Sequence, residues 1–247
     1  MIRKASVDAK AFSTALDQVS KVLRKSSIPV LSEVLVAISG GQCTLTATDI
    51  ETWLFQKIPA RGDDLSFVFR KTKDVAKACR LFDGELELEF SDTGEGKYRS
   101  LTLCMRCGGR AVEFEAMAAE DYPVCAPIKA KASFTVNAAA LLKRVELVGY
   151  AAGKPASTER ATCGNVQFSG KYVFALDGTR LACDTDESLI APRPFMTYAE
   201  SLSHLRMFGD QEVTVELGER QGVITNGTAS IIFRINGVDV YPVAVSY

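Results

Sequence analysis

The chain repeats itself. The run Leu45-Thr46-Ala47-Thr48-Asp49, which follows Ile28-Pro29-Val30-Leu31 and the strand-like Leu35-Val36-Ala37-Ile38, returns in weaker form as Val173-Phe174-Ala175-Leu176-Asp177, with Asp177 128 residues on from Asp49. Ahead of each copy, Val7-Asp8-Ala9-Lys10-Ala11-Phe12 corresponds to Val136-Asn137-Ala138-Ala139-Ala140-Leu141 at a spacing of 129. The copies also close alike, in Asp121-Tyr122-Pro123 and Asp239-Val240-Tyr241-Pro242. Solenoid units run about 20 to 50 residues, so this period excludes a solenoid. It predicts two similar globular domains of ordinary size, over residues 1–127 and 128–247.

Each domain reads as α+β, two helices against antiparallel strands. Phe12, Leu16, Val19 and Leu23 recur at helical spacing over Ala9–Leu23, and Val75, Cys79 and Phe82 over Thr72–Phe82. In the second copy a helix is expected over Ala138–Ala152 with Leu141, Val145 and Val148 inward. A last one is expected over Thr197–Phe208 with Tyr198, Leu202 and Leu205 inward. Leu86–Phe90, Val112–Glu115 and Val213–Leu217 alternate as strands. Gly40-Gly41, Asp83-Gly84, Gly108-Gly109, Ser169-Gly170 and Asn226-Gly227 mark turns.

A formal net charge of −1 conceals a segregation. Basic residues outnumber acidic ones four to one in 9–25, five to one in 70–81 and three to one in 138–154; in 196–210 they are outnumbered two to one. The helical segments thus net +8 and everything else −9. Lys73, Lys77 and Arg80 form a basic stripe across from the apolar side of their helix. A basic face on an otherwise acidic protein suits contact with a phosphate backbone without adhesion elsewhere, while solvated helix faces carry the same residues without any partner. Helix-turn-helix, zinc-finger and base-stacking patterns are absent, so base-specific reading has no support.

Other chemistry finds less. Seven cysteines in a chain with 47% hydrophobic residues read as reduced thiols rather than staples. Cys104 and Cys107 form a single CxxC with no second pair to complete a zinc site, and His204 is the only histidine. No phosphate-cradling glycine loop or GxSxG occurs, so neither catalysis, metal nor cofactor is expected. No apolar run reaches the length of a membrane helix and no apolar signal core follows Arg3 and Lys4, which places the expectation in the cytoplasm.

Leu16-Asp17-Gln18-Val19-Ser20, Ile28-Pro29-Val30-Leu31, Leu45-Thr46-Ala47-Thr48-Asp49, Ala119-Glu120-Asp121-Tyr122-Pro123 and Asp177-Gly178-Thr179-Arg180-Leu181-Ala182 appear in this order. In order and spacing the chain resembles the first two domains of the bacterial sliding clamp family, the beta subunit of DNA polymerase III. The resemblance implies tandem clamp domains joined edge to edge in a ring, with helices lining the hole and sheets outside. It implies a non-catalytic processivity factor that encircles duplex DNA and tethers DNA polymerase and clamp-loader-type proteins through short peptide motifs.

By the same resemblance, Arg24, Lys25, Lys73, Lys77, Arg80, Lys143 and Arg144 approach DNA. The loop Gly153–Arg160 would lie near DNA, with Ala161 and Thr162 where the family often has tyrosines. Gly178, Thr179, Arg180, Leu181 and Pro242 map to one wall of a partner-peptide pocket, with Thr179 in place of the usual histidine. Leu181 as plain core and Gly178 as a turn residue remain the alternatives. Family members have three domains, whereas this sequence runs to Val245-Ser246-Tyr247 after the second. Two expectations stay open: a homotrimeric ring, with the Val112 and Phe114 strand pairing to a neighbour's second domain, or a non-encircling monomer or dimer that competes for clamp partners. The weak basicity of the last helix favours the second.

Overall fold

The computed structural model describes residues 1–94, 96–153, 164–177 and 179–237. Contacts divide the chain into two units, 1–125 and 126–247. Unit 1 contains β1 (Ile2–Asp8), α1 (Ala9–Val19), β2 (Leu35–Ser39), β3 (Gln42–Thr48), β4 (Thr52–Gly62), β5 (Leu65–Phe69), α2 (Thr72–Cys79), β6 (Glu85–Thr93), β7 (Ser100–Cys107) and β8 (Arg110–Met117). Unit 2 contains β9 (Ala132–Asn137), α3 (Ala138–Gly149), β10 (Asn165–Gly170), β11 (Tyr172–Leu176), β12 (Leu181–Thr185), β13 (Ala191–Tyr198), α4 (Ala199–Ser203), β14 (Glu212–Leu217), β15 (Gln221–Thr225) and β16 (Ala229–Arg234).

This order is one motif, strand-helix-strand-strand-strand, used four times. The repeat legible in the sequence therefore halves again. In unit 1, β1 joins β6, β7 and β8 in an antiparallel sheet, while β5 joins β2, β3 and β4. In unit 2, β9 joins β14, β15 and β16, while β13 joins β10, β11 and β12. Each motif gives its first strand to the sheet of its sister motif.

Local chemistry explains why the copies start alike. Asp8 caps α1 by accepting the Ala11 N–H at 2.8 Å, and Asn137 caps α3 by accepting the Ala140 N–H at 2.9 Å. The Ala9 N–H donates to the Gly84 carbonyl and the Ala138 N–H to the Gln211 carbonyl, both at 2.9 Å. Helix α2 lacks a cap of its own, and Glu33 supplies one from a distance by accepting the Thr72 N–H at 2.6 Å.

Phe12, Leu16 and Val19 of α1 are fully buried, and Phe12 meets Phe69 edge to face at 6.4 Å. Phe67 stacks on Phe90 at 5.4 Å. In unit 2, Phe168 stacks on Phe195 at 4.5 Å, with Phe233 beside it. Tyr122 of the Asp121-Tyr122-Pro123 segment is buried against Trp53, and its hydroxyl reaches the Thr46 carbonyl at 3.3 Å. The later Tyr241 and Pro242 lie outside the described residues.

Two seams join the sheets of unit 1. At one, β1 meets β4 with Ala5 opposite Gly62; at the other, β5 meets β8 at Val68–Met117 and Phe69–Ala116. Gly62 has φ +104, and a Cβ there would stand 2.4 Å from the Lys4 carbonyl oxygen, so only glycine allows the approach. In unit 2 a bridge between Met196 and Asn236 marks one such seam.

Two expectations need correction. The helix expected over Thr197–Phe208 starts only at Ala199 and becomes a 3-10 helix over His204–Phe208, because β13 runs through Tyr198; Tyr198 is then half-buried rather than core. Helix α1 ends at Val19 and passes into a 3-10 turn over Ser20–Val22. Cys104 and Cys107 share β7 three residues apart, which points them to opposite faces, and Cys107 is buried against the Asp83 carbonyl. No group of three or more His, Cys, Asp or Glu that could hold a metal occurs among the described residues. No helix among them is long and apolar enough to cross a membrane.

Candidate nucleic-acid interface

Val75 and Cys79 anchor α2 in the core, and the helical period then turns Lys73, Lys77 and Arg80 to solvent. Lys77 pairs with Asp74 one turn back at 3.2 Å. Arg80 reaches across to Asp17 of α1 at 3.1 and 3.3 Å, fixing the two helices side by side. Both pairs are well exposed, so they contribute under about 1 kcal/mol. Lys10 and Lys21 of the α1 segment, not singled out from the sequence as DNA contacts, are exposed as well, and Lys10 pairs with Asp83 at 3.0 Å. Beneath this basic surface the Cys79 thiol is pushed up to about 12 by burial, with the Asp17 carboxylate acting in the same direction.

Arg24 follows the 3-10 turn. Its Nε meets Asp49 Oδ2 at 3.2 Å, while Asp49 Oδ1 accepts the Thr52 N–H at 2.8 Å and closes the β3–β4 turn. Ser32 Oγ accepts the Ser26 N–H and donates to the Arg24 carbonyl, so the backbone beneath Arg24 and Lys25 is pinned. Lys25 itself is exposed.

Unit 2 presents a different helix surface. Leu141, Val145 and Val148 of α3 are buried, which leaves Lys143, Glu146, Leu147 and Tyr150 outward. Leu147 is 49% and Tyr150 66% exposed. Arg206 from the 3-10 helix pairs with Glu146, and Glu200 adds a further negative charge.

Arg144, expected to approach DNA beside Lys143, makes ion pairs within unit 2. Its guanidinium binds Asp184, donates to the Thr185 carbonyl at 3.1 Å and binds Asp186 at 2.7 Å. It is committed to the end of β12. The helical period gives Arg144 an angle between core and solvent, and the strand alongside decides the rest.

Of the pocket residues, Gly178 and Pro242 lie outside the described residues, as do positions 154–163, which include most of the expected DNA-near loop with Ala161 and Thr162. Thr179 and Arg180 form the β11–β12 turn around Asp177, whose Oδ1 accepts both of their N–H groups, at 3.0 and 2.8 Å. The Arg180 guanidinium binds Asp177 Oδ2 at 2.6 and 2.8 Å. These bonds hold the Asp177 carboxyl well below the usual carboxylate range, the Thr179 backbone N–H being the largest cause. Leu181 is 54% exposed, so it is not plain core. Val112 and Phe114 lie on β8, which pairs along residues 110–115 only with β7 among the described residues.

The family model for the DNA polymerase III beta subunit, N-terminal domain, matches residues 4–126. The beta sliding clamp of Pseudomonas aeruginosa is 22% identical over 238 residues, covering 90% of this chain and 62% of that protein. The crystal structure of the DNA polymerase III subunit beta from the same organism superposes with a TM-score of 0.81 at 19% identity, over 94% of this chain and 64% of that one. The DNA polymerase sliding clamp of Bacillus subtilis gives 0.79 at 16% identity, over 100% and 67%. The chain thus spans somewhat under two thirds of the curated relative. With the N-terminal-domain match across unit 1 and the clamp fold across both units, the chain belongs to the DNA polymerase III beta subunit family.

Proposed function

We propose that this chain is a clamp-type processivity factor that encircles duplex DNA without sequence specificity and tethers DNA polymerase and clamp-loader-type proteins in the cytoplasm. The observation that carries it is the basic helix surface of unit 1, with Lys73, Lys77 and Arg80 outward on a chain whose remainder is acidic. Contacts of this kind are weak one by one, and encirclement turns weak contacts into retention while leaving the protein free to slide. The role is non-catalytic and needs no cofactor. Partner peptides would dock at Thr179, Arg180 and Leu181, with Gly178 and Pro242 completing that wall.

Closure would use three copies, with Val112 and Phe114 of β8 pairing to a neighbour's second unit, because open sheet edges favour strand addition. Mass in solution at several concentrations should approach about 80 kDa, three times the 26.8 kDa chain, and the protein should stay on closed circular DNA and leave it on linearisation. A persistent monomer that leaves both forms equally fast sinks this reading.

A second reading is supported by unit 2, where Lys143 is the exposed α3 cation without an ion pair among the described residues. A non-encircling monomer or dimer that binds clamp partners would need no DNA-facing charge there. Such a protein would capture polymerase-derived clamp-binding peptides while failing to bind duplex DNA.

A further inference from the structure

Two open edges carry complementary features. Strand β8 is open along Arg110–Glu115, because β5 takes only Ala116 and Met117 on that side. Strand β12 pairs only with β11 among the described residues and is open along Leu181–Thr185.

Faces and charges restrict how these edges fit together. On β8, Arg110, Val112 and Phe114 stand opposite the buried Cys107, Met105 and Leu103, and Arg110 donates to the carbonyl of Leu81, just past α2. They therefore lie on the helix side of the sheet. On β12, Ala182 and Asp184 stand opposite the buried Ala175 and Val173, and Asp184 and Asp186 both bind Arg144 of α3. This is again the helix side.

Two carboxylates share one guanidinium, leaving one negative charge on partly buried groups at the end of β12. Arg110, at the start of β8, has no carboxylate partner among the described residues.

We propose that β12 receives β8 of a second copy of this chain in antiparallel pairing, with the incoming Arg110 completing a four-charge cluster with Arg144, Asp184 and Asp186. The inference rests on the ring reading above, which requires both helix layers to face the same side. That condition puts Arg110, Val112 and Phe114 on the face of Asp186, Asp184 and Ala182. The register that uses all of β12 without displacing β5 sets Arg110 opposite Asp186, Val112 opposite Asp184, Phe114 opposite Ala182 and Glu113 opposite Cys183. Arg144 is then a positioning residue: it neutralises part of the carboxylate charge that the incoming Val112 and Phe114 would desolvate.

Exposed Cys183 makes the register measurable. Directly opposed residues in antiparallel strands lie within disulfide reach. The Cys104→Ser/Glu113→Cys chain should form an intermolecular cystine with Cys183 on mild oxidation; Cys104 is replaced because it is the cross-strand neighbour of Glu113 within the chain. Val112→Cys, on the other face, should not cross-link. Arg110→Glu should weaken self-association by about tenfold or more, and adding Asp186→Arg to the same chain, which reverses the pair at every interface, should restore association.

Association of the unaltered chain with no cross-link at 113, or with cross-linking at 112 instead, overturns the register and leaves the ring standing. Association that Arg110→Glu does not change overturns the charge cluster. A chain that does not associate at any concentration overturns the ring and this interface together.

Discussion

The helices of unit 1 and unit 2 are built by the same motif, and α1 and α3 are capped by the same device, yet the two units offer solvent different chemistry. On unit 1, Lys10, Lys21, Lys73, Lys77 and Arg80 face outward, with Asp17, Asp74 and Asp83 as local counter-charges. On unit 2, the exposed Lys143 and Arg206 are matched in number by the exposed Glu146 and Glu200, and Leu147 and Tyr150 are exposed apolar side chains. The fold therefore fixes where helices lie and leaves their surface charge to each copy. Affinity for a polyanion should be set almost entirely by unit 1.

The largest expected effect is loss of that stripe. Reversing Lys73, Lys77 and Arg80 to Glu should lower duplex association by about two to three orders of magnitude at low salt and flatten the logarithmic salt slope by about 3, read by fluorescence anisotropy. Lys143→Glu should cost about threefold or less. Equal losses would erase the distinction between the units.

Selective unfolding probes it without touching charge. Gly62→Ala places a Cβ against the Lys4 backbone, and Gly222→Ala places one 2.3 Å from the Phe233 ring. Each should cost about 3 kcal/mol and lower the melting of its own unit by about 10 °C. Between the two midpoints, the Gly62→Ala chain should lose DNA binding while the Gly222→Ala chain keeps it. Single-step melting in calorimetry would show that the units do not unfold separately.

Adding charge to unit 2 should move it toward unit 1. Glu146→Lys with Glu200→Lys also frees Arg206, and duplex affinity should rise about tenfold at low salt. No gain would mean that this surface does not face the DNA.

The smallest effect lies under the basic surface. Cys43 and Cys79, both in unit 1, are pushed from 9.0 to about 12 by burial, and Tyr122 is also raised by burial. The folded state holds these protons at pH values where the unfolded chain has released them. Stability is therefore intact below pH 9 and falls as pH rises toward 12. Denaturant midpoints on either side of pH 9 should shift for unit 1, and Cys79→Ala should reduce that shift slightly.

Much of this was legible in the sequence, and the failures have causes. The starts of α1, α2 and α3 follow from apolar spacing, which solvent and core impose locally. The 128-residue repeat survives because Asp8 and Asn137 do the same capping, and because Asp49 and Asp177 each close a hairpin, their N–H groups donating to the Thr52 and Arg180 carbonyls at 3.2 Å.

The half-repeat is hidden because the sister motifs share topology and little sequence. Its trace is the third such turn, Asn226 with Ala229, whose side-chain bonds repeat those of Thr48 and Asp49. The ion pairs of Arg144 were not legible because its partners lie 40 and 42 residues away. Tyr198 was misplaced because ladder pairing of Asn165 with Tyr198 extends β13 over a helix-like stretch.

The exchange of first strands makes the halves of a unit mutually dependent. A nick at Asp63-Asp64, between β4 and β5, leaves one fragment holding β1, which the sheet of the other requires, and the other holding β5, which the first requires. Neither fragment has a complete sheet alone, and together they restore both. Unit 1 is accordingly a built-in complementation pair, so its two motifs should assemble in a single cooperative step.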